Sequence, residues 1–240
     1  GVNGVAATMR TDIGKKRKQN EDAAWFDEKR GVFVVADGMG GHLAGEVASQ
    51  MAIDAVRKMA ARHKKPSIDQ IKKTVLGAHE RIYQRAQGNA ECAGMGTTLS
   101  MLCRGAGYIY IAHVGDSRIY RCTTRQTTQL TQDQNWYNRE VEAGRLENAR
   151  LADRRTARAL VNALGPSQEL EIRTQQGSIK RGEALLLCTD GFYGSLEESM
   201  TARRWPWHYD PQRQLEAMLR EILTGPAGDN ITAVLCRLPY

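Results

Sequence analysis

Five aspartates occupy one kind of place in this sequence: Asp22, Asp37, Asp116, Asp190 and Asp229 each stand at or beside the end of a predicted strand. A carboxylate at the mouth of a buried strand is costly unless a cation or a full set of hydrogen bonds compensates it. No run of lysine or arginine stands near the Asp-Gly dipeptides at 37–38 and 190–191 to do the pairing. One isolated Asp-Gly reads as a hairpin turn. Two of them, each closing an uninterrupted apolar run, read instead as parts of a site for a hard cation. Oxygen donors without histidine or cysteine favour Mg2+ or Mn2+ over zinc.

Other chemistries are excluded by missing patterns. The Gly-rich stretch 37–45 has no Gly-x-x-x-x-Gly-Lys-Ser/Thr order and is not expected to cradle a nucleotide. No cysteine has an arginine six positions later, which removes the cysteine-phosphatase pattern, and neither His-Glu-x-x-His nor Gly-x-Ser-x-Gly occurs.

The elements that must position these carboxylates are legible. Residues 31–36, 108–114 and 183–189 are apolar runs of strand length, two of them closed by Asp-Gly and the third by Gly115-Asp116. Between the first and second lie two segments of helical spacing, one carrying Val47, Met51, Ala55 and Met59, the other Ile68, Ile71, Val75, Ala78 and Ile82. Residues 115–130 read as short strands and turns, 134–164 as polar and partly helical, 211–224 as a helix and 231–237 as a last strand. Strands adjoining in sequence, grouped around paired helices, predict α+β layers with antiparallel sheets.

The bulk numbers fit one globular domain of 240 residues, with 41% hydrophobic and 25% charged residues and no linker or repeat. No apolar run reaches the roughly 20 residues of a membrane helix, and the first residues lack the basic, apolar, small-residue order of a signal peptide. A cytoplasmic protein without membrane contact, appended sensor, anchor or kinase domain is expected. The five cysteines are odd in number, widely spaced and set in apolar surroundings, as reduced buried thiols are. The net charge of +7 comes from 34 basic and 27 acidic residues. Clusters at 15–18 and 150–158 are not interleaved with aromatic residues, so a solvated basic face is expected rather than a nucleic-acid site. Trp205, Trp207 and Tyr209 form either a buried corner or a docking patch.

Taken in order, Arg17-Lys18-Gln19-Asn20-Glu21-Asp22, Asp37-Gly38-Met39-Gly40-Gly41-His42, Gly94-Met95-Gly96-Thr97-Thr98, Val114-Gly115-Asp116-Ser117-Arg118, Thr189-Asp190-Gly191 and Gly228-Asp229-Asn230-Ile231-Thr232 resemble the successive motifs of protein phosphatases of the 2C type, in their bacterial branch. The resemblance implies an αββα sandwich of two antiparallel sheets with helices outside and a metal site at one end. It implies that Asp37 bridges two ions, that the carbonyl of Gly38 completes one site, that Asp190 and Asp229 hold the other ion, and that Glu21 and Asp22 bind directly or through water. Asp116, with Asp190, would hold a third, weaker ion. Arg17 would clamp phosphate through its planar fork, and two cations would activate the water that attacks phosphorus.

Two positions depart from the pattern. Met39 stands where eukaryotic relatives carry a histidine, which leaves the general acid unassigned, between a water on the third ion and a neighbouring side chain. His42, at the start of the first long helix, reads as a surface residue and His113, in a strand, as a packed one. Gly194 stands where many relatives have an acidic residue, which weakens the expected third site. The segment 133–160 corresponds to the family's variable flap, and its arginines Arg150, Arg154, Arg155 and Arg158 are candidates for substrate contact. The implied function is hydrolysis of phosphoserine and phosphothreonine in proteins by a monomer opposing a serine/threonine kinase. The alternatives are a phosphoprotein-binding module without turnover and a phosphatase of a non-protein phosphoester.

Overall fold

The computed structural model describes residues 6–206 and 209–237. Its strands, in chain order, are β1 (Ala6–Asp12), β2 (Asp22–Asp27), β3 (Val32–Met39), β4 (Gly96–Thr97), β5 (Leu99–Arg104), β6 (Tyr108–Val114), β7 (Arg118–Cys122), β8 (Thr127–Gln129), β9 (Arg173–Ser178), β10 (Ala184–Cys188) and β11 (Ile231–Arg237). The helices are α1 (Ala44–Arg62), α2 (Ile68–Gly88), α3 (Trp136–Glu142), α4 (Leu146–Leu151), α5 (Arg154–Ala157), α6 (Asp190–Tyr193), α7 (Glu197–Met200) and α8 (Pro211–Leu223). One sheet runs β1-β11-β10-β7-β8 and the other β2-β3-β5-β6-β9, with β4 on the end of β3. Every pairing is antiparallel.

Antiparallel sheets usually alternate apolar and polar residues because one face meets water. Here the central strands are apolar along most of their length on both faces because both faces are covered. Val32, Val34 and Ala36 of β3 pack with α1 and α2, whereas Phe33 and Val35 join Ile119, Leu185, Leu187 and Val234 between the sheets. Strand β10 divides the same way, with Leu186 and Cys188 turned toward α8 and the Tyr193, Leu196 and Trp205 corner. The result is the four-layer αββα sandwich that the family resemblance implied.

Local signals explain where the helices start. Ser67 and Gln70 form a reciprocal capping box at the head of α2, and Asp210 caps α8 ahead of Pro211. All five cysteines are buried and free, as expected. Trp205 and Tyr209 form a buried corner, with the Trp205 indole N–H donating to Thr127 Oγ1 at 2.7 Å. Trp207 lies outside the described residues. No helix among the described residues is long and apolar enough to cross a membrane.

Neither Asp-Gly dipeptide is a hairpin turn. Strand β3 continues through Asp37-Gly38 to Met39 because Gly96 and Thr97 supply a partner strand. Asp190-Gly191 opens the short helix α6 immediately after β10.

Candidate active site

The carboxylates converge because of strand parity and register. On β3, Phe33, Val35 and Asp37 share a face at a period of two, so Asp37 prolongs the layer between the sheets to its rim. Asp22 of β2 lies directly opposite Asp37 in the ladder. Asp116 follows β6, Asp190 follows β10 and Asp229 precedes β11, so strands from both sheets end at one place. One carboxylate oxygen from each of Asp37, Asp116 and Asp190 lies within 4.8 Å of the others.

Close backbone approach makes the rest of the rim. The first turns of α1 press on Gly38 and Glu21: a Cβ on Gly38 would run into the Gly45 carbonyl, and one on Gly45 into the Glu21 carboxylate. Ser49 Oγ donates to the Glu21 carbonyl at 2.7 Å, and Gly38 N–H donates to the same oxygen at 3.1 Å. Asn230 is the hub on the opposite side. Its Oδ1 accepts from Glu21 N–H at 2.9 Å, while its Nδ2 donates to the carbonyls of Ile13 at 3.0 Å and Gln19 at 2.9 Å. That hub ties the loop carrying Arg17, Glu21 and Asp22 to the loop carrying Asp229.

The electrostatics are those of an anion cluster short of partners. Glu21 Oε2, Asp22 Oδ1 and Asp190 Oδ1 are buried without a hydrogen-bond partner. Burial pushes the Asp37 carboxyl well above its ordinary range, and the charges of Asp190 and Asp22 push it further. Asp22 is raised to about 6, mainly by burial, although Thr189 Oγ1 donates to its Oδ2 at 2.9 Å. Asp116 is raised to about 8 by burial and then by Asp190 and Asp133. Glu21 is raised by burial against the pull of Arg17, and Asp229 by burial and Asp190. Arg17 alone of the basic run 15–18 reaches the cluster, with Nη2 at 3.4 Å from Asp229 Oδ1 and half its side chain in solvent.

Unpartnered buried oxygens on converging carboxylates fit divalent cations, and a donor set of oxygens fits Mg2+ or Mn2+. Of the residues expected at the site, Asp37, Asp116 and Asp190 meet in the centre, with Asp22 in ladder register, while Glu21, Gly38, Asp229 and Arg17 line the edge. Met39 ends β3, half-buried, and has no proton to give. His42 is exposed in a left-handed turn before α1, and His113 is buried in β6, hydrogen-bonded to Ser100 Oγ at 2.9 Å and to the Gln132 carbonyl at 3.1 Å.

A second group of charges flanks the cluster. Arg118 donates from Nε and Nη2 to the two oxygens of Asp133 at 2.9 and 2.6 Å, lies 3.7 Å over the Tyr193 ring, and donates from Nη1 to Tyr120 Oη at 2.9 Å. Tyr193 Oη in turn donates to the Asp116 carbonyl at 2.7 Å. From the segment above, Arg158 Nη2 reaches Glu197 Oε2 at 2.6 Å across a cavity of about 330 Å3 that also touches Asp116, Asp190 and Gly194. The segment's base is stitched by Trp136 N–H to the Ala159 carbonyl at 2.8 Å and Val161 N–H to the Gln134 carbonyl at 3.1 Å. These supports were missed in the sequence, where Arg118 and Asp133 stand apart with no pattern linking them.

The family model described as Protein phosphatase 2C matches residues 14–224. The serine/threonine phosphatase stp of Listeria monocytogenes serovar 1/2a is 32% identical over 201 residues, which cover 80% of each chain. Among solved structures, the serine/threonine phosphatase Stp1 from Staphylococcus aureus superposes with a TM-score of 0.83 at 26% identity, covering 98% of this chain and 96% of that one. The catalytic domain of PstP in complex with two manganese ions does so with a TM-score of 0.80 at 26% identity, covering 99% of each.

Proposed function

This chain belongs to the protein phosphatase 2C family and is a metal-dependent serine/threonine protein phosphatase, and from that premise we propose which of its residues do the work. Asp37, at the centre of the cluster, would be a shared ligand of the divalent cations, Mn2+ or Mg2+. The Gly38 carbonyl would complete one site, Asp190 and Asp229 would hold the other ion, and Glu21 and Asp22 would serve directly or through water. The observation that carries this reading is the set of buried, unpartnered oxygens on Glu21, Asp22 and Asp190. When bound, the cations neutralise phosphate charge and lower the pKa of a water so that it attacks phosphorus.

The chain's own residues position what reacts. Arg17 needs only part of its guanidinium fork for Asp229, and its remaining donors hold two phosphate oxygens. Thr189 and Asn230 fix Asp22 and the Glu21 backbone so that the carboxylates do not drift apart under their mutual repulsion. Asp116 and Asp190 would hold a third ion, and hold it most weakly. Gly194 offers no carboxylate, and the neighbouring Asp133 and Glu197 are occupied by Arg118 and Arg158. The segment 133–160 acts as the flap of a single phosphatase domain. The substrates are phosphorylated proteins of a serine/threonine kinase pathway, met in the cytoplasm by a monomer.

The test is steady-state hydrolysis of a phosphothreonine peptide by wild type and Asp190→Asn, with Mn2+, Mg2+ or chelator. Turnover that needs metal and falls at least about a hundredfold in the variant is the expected result. Metal-independent turnover, or none with any phosphopeptide, would overturn the assignment.

A further inference from the structure

The net charge of this protein is localised. Residues 57–85 contain nine lysines and arginines against Asp69 and Glu80, and the remaining 25 basic and 25 acidic residues of the chain cancel. The excess of +7 therefore sits on residues 57–85, the end of α1 and most of α2, away from both basic clusters that stand out in the sequence; Glu46 and Asp54 nearer the head of α1 bring the whole hairpin, residues 44–88, to +5. Helical periodicity hides it, because residues one turn apart on two helices form one surface without forming a run.

The hairpin shapes these charges into a groove of about 360 Å3. Lys58 and Arg62 of α1 line one side, Lys73 and Arg81 of α2 the other, and Gly77, having no side chain, lets the Arg81 guanidinium lie close over α2. Met59 and Ala55 give it an apolar floor. The four cations are exposed, and among the described residues none lies within ion-pairing distance of a carboxylate. No Phe, Tyr or Trp lines the groove; its one ring is the His63 imidazole, hydrogen-bonded to Gln70 Nε2 at 3.2 Å, so the row of aromatic platforms that holds a single nucleic-acid strand is missing. Cationic walls over an aliphatic floor suit a short protein segment rich in Asp and Glu.

The groove is also connected to the site. The first turns of α1 press on Glu21 and Gly38, and Lys58 and Arg62 lie roughly 20–27 Å further along the same helix at 1.5 Å per residue. An extended chain crosses that distance in about six to eight residues.

We propose that the α1–α2 groove is a docking site for an acidic segment of the protein substrate, lying about six to eight residues or more from the phosphorylated residue. The proposal rests on the phosphatase reading for its consequence and on the charge and shape of the groove for its existence. The probes are two phosphothreonine peptides carrying, beyond an eight-residue spacer, either a Glu-rich or a matched Gln-rich block. Wild type should show a KM about tenfold lower for the acidic peptide with unchanged kcat, the scale of several exposed ion pairs acting together. The preference should vanish in 0.5 M salt. Lys58→Glu/Arg62→Glu/Lys73→Glu/Arg81→Glu should abolish it while leaving kcat and KM for an untailed peptide at wild-type values, with an unchanged circular dichroism spectrum. Should that variant not fold, Lys73→Gln/Arg81→Gln carries the same prediction at reduced size.

Equal KM values in wild type, a preference that survives charge reversal, or stronger competition by single-stranded DNA than by the free acidic block would each overturn the proposal. If no phosphopeptide is turned over at all, the phosphatase reading fails by itself. Fluorescence anisotropy of the labelled acidic block then decides the groove: binding lost in the charge-reversal variant supports it, and no binding overturns it.

Discussion

The layer between the sheets and the rim at its end are made by the same strands on opposite rules. Strand β3 gives Phe33 and Val35 to the interior, both wholly buried, and two residues later gives Asp37 to the rim. Strand β10 gives Leu185 and Leu187, and the chain then places Asp190 at the mouth. In the interior the neighbours of Phe33, Val35, Leu185 and Leu187 are mostly apolar, and burying each adds to stability. At the rim Asp22 and Asp37 face each other across a ladder, an arrangement that opposes folding between like charges. The lesson is that the sandwich supplies the stability that lets its end hold a set of mutually repelling carboxylates, which is what binding a hard cation requires.

Two substitutions on adjoining stretches of strand would break or sharpen that contrast. Asp37→Asn should lower kcat/KM for a phosphothreonine peptide at least about a hundredfold, about 2.7 kcal/mol in the barrier. In chelator the same variant should be more stable than wild type by roughly 1 kcal/mol, because a buried charge among like charges is gone. Leu187→Ala should do the reverse, losing about 3 kcal/mol of stability to the cavity while keeping kcat below its melting range. Kinetics and urea unfolding on both variants measure all four quantities. If activity and stability moved together in either variant, the division between interior and rim would be wrong.

The fold was more legible than the wiring of the site, for physical reasons. Apolar runs and helical spacing are local, and they located β6 and β11 to the residue and α1, α2 and α8 closely. The runs around Asp37 and Asp190 were readable as strands because burial on both faces removes alternation. Their Asp-Gly ends were not hairpin turns, since the partner of Gly38 lies in β4, far along the chain. The carboxylates could be picked out because the motifs repeat one local device. Their supports could not: Asn230, Thr189 and the Arg118–Asp133 pair act between residues remote in sequence. The three helices α3, α4 and α5 are too short for periodicity to show.

His113 tests the contrast from between the two regions, as a buried polar group that, unlike the rim carboxylates, has its partners. The Gln132 carbonyl only accepts, so Nε2 carries the proton and Nδ1 accepts from Ser100 Oγ, which defines a neutral imidazole. Burial lowers its pKa from 6.5 to about 4. For a base with a depressed folded pKa, the unfolded chain takes up the proton first. Stability is therefore unaffected above pH 6.5 and falls as pH drops toward 4, by about 3 kcal/mol over that window. The rim carboxylates have raised pKa values and act with the opposite sign, favouring the metal-free fold as pH falls, so the raw pH curve mixes the two. The difference between wild type and His113→Gln isolates the histidine. In urea unfolding with chelator, the variant should be less stable at pH 7.5 by about 1 kcal/mol through its poorer hydrogen bonds, yet lose that deficit and become the more stable protein near pH 4. Parallel curves for the two proteins from pH 7.5 to 4 would mean that His113 is protonated in the fold, and that the sandwich tolerates unpaired charge one strand-step inside its rim as well as on it.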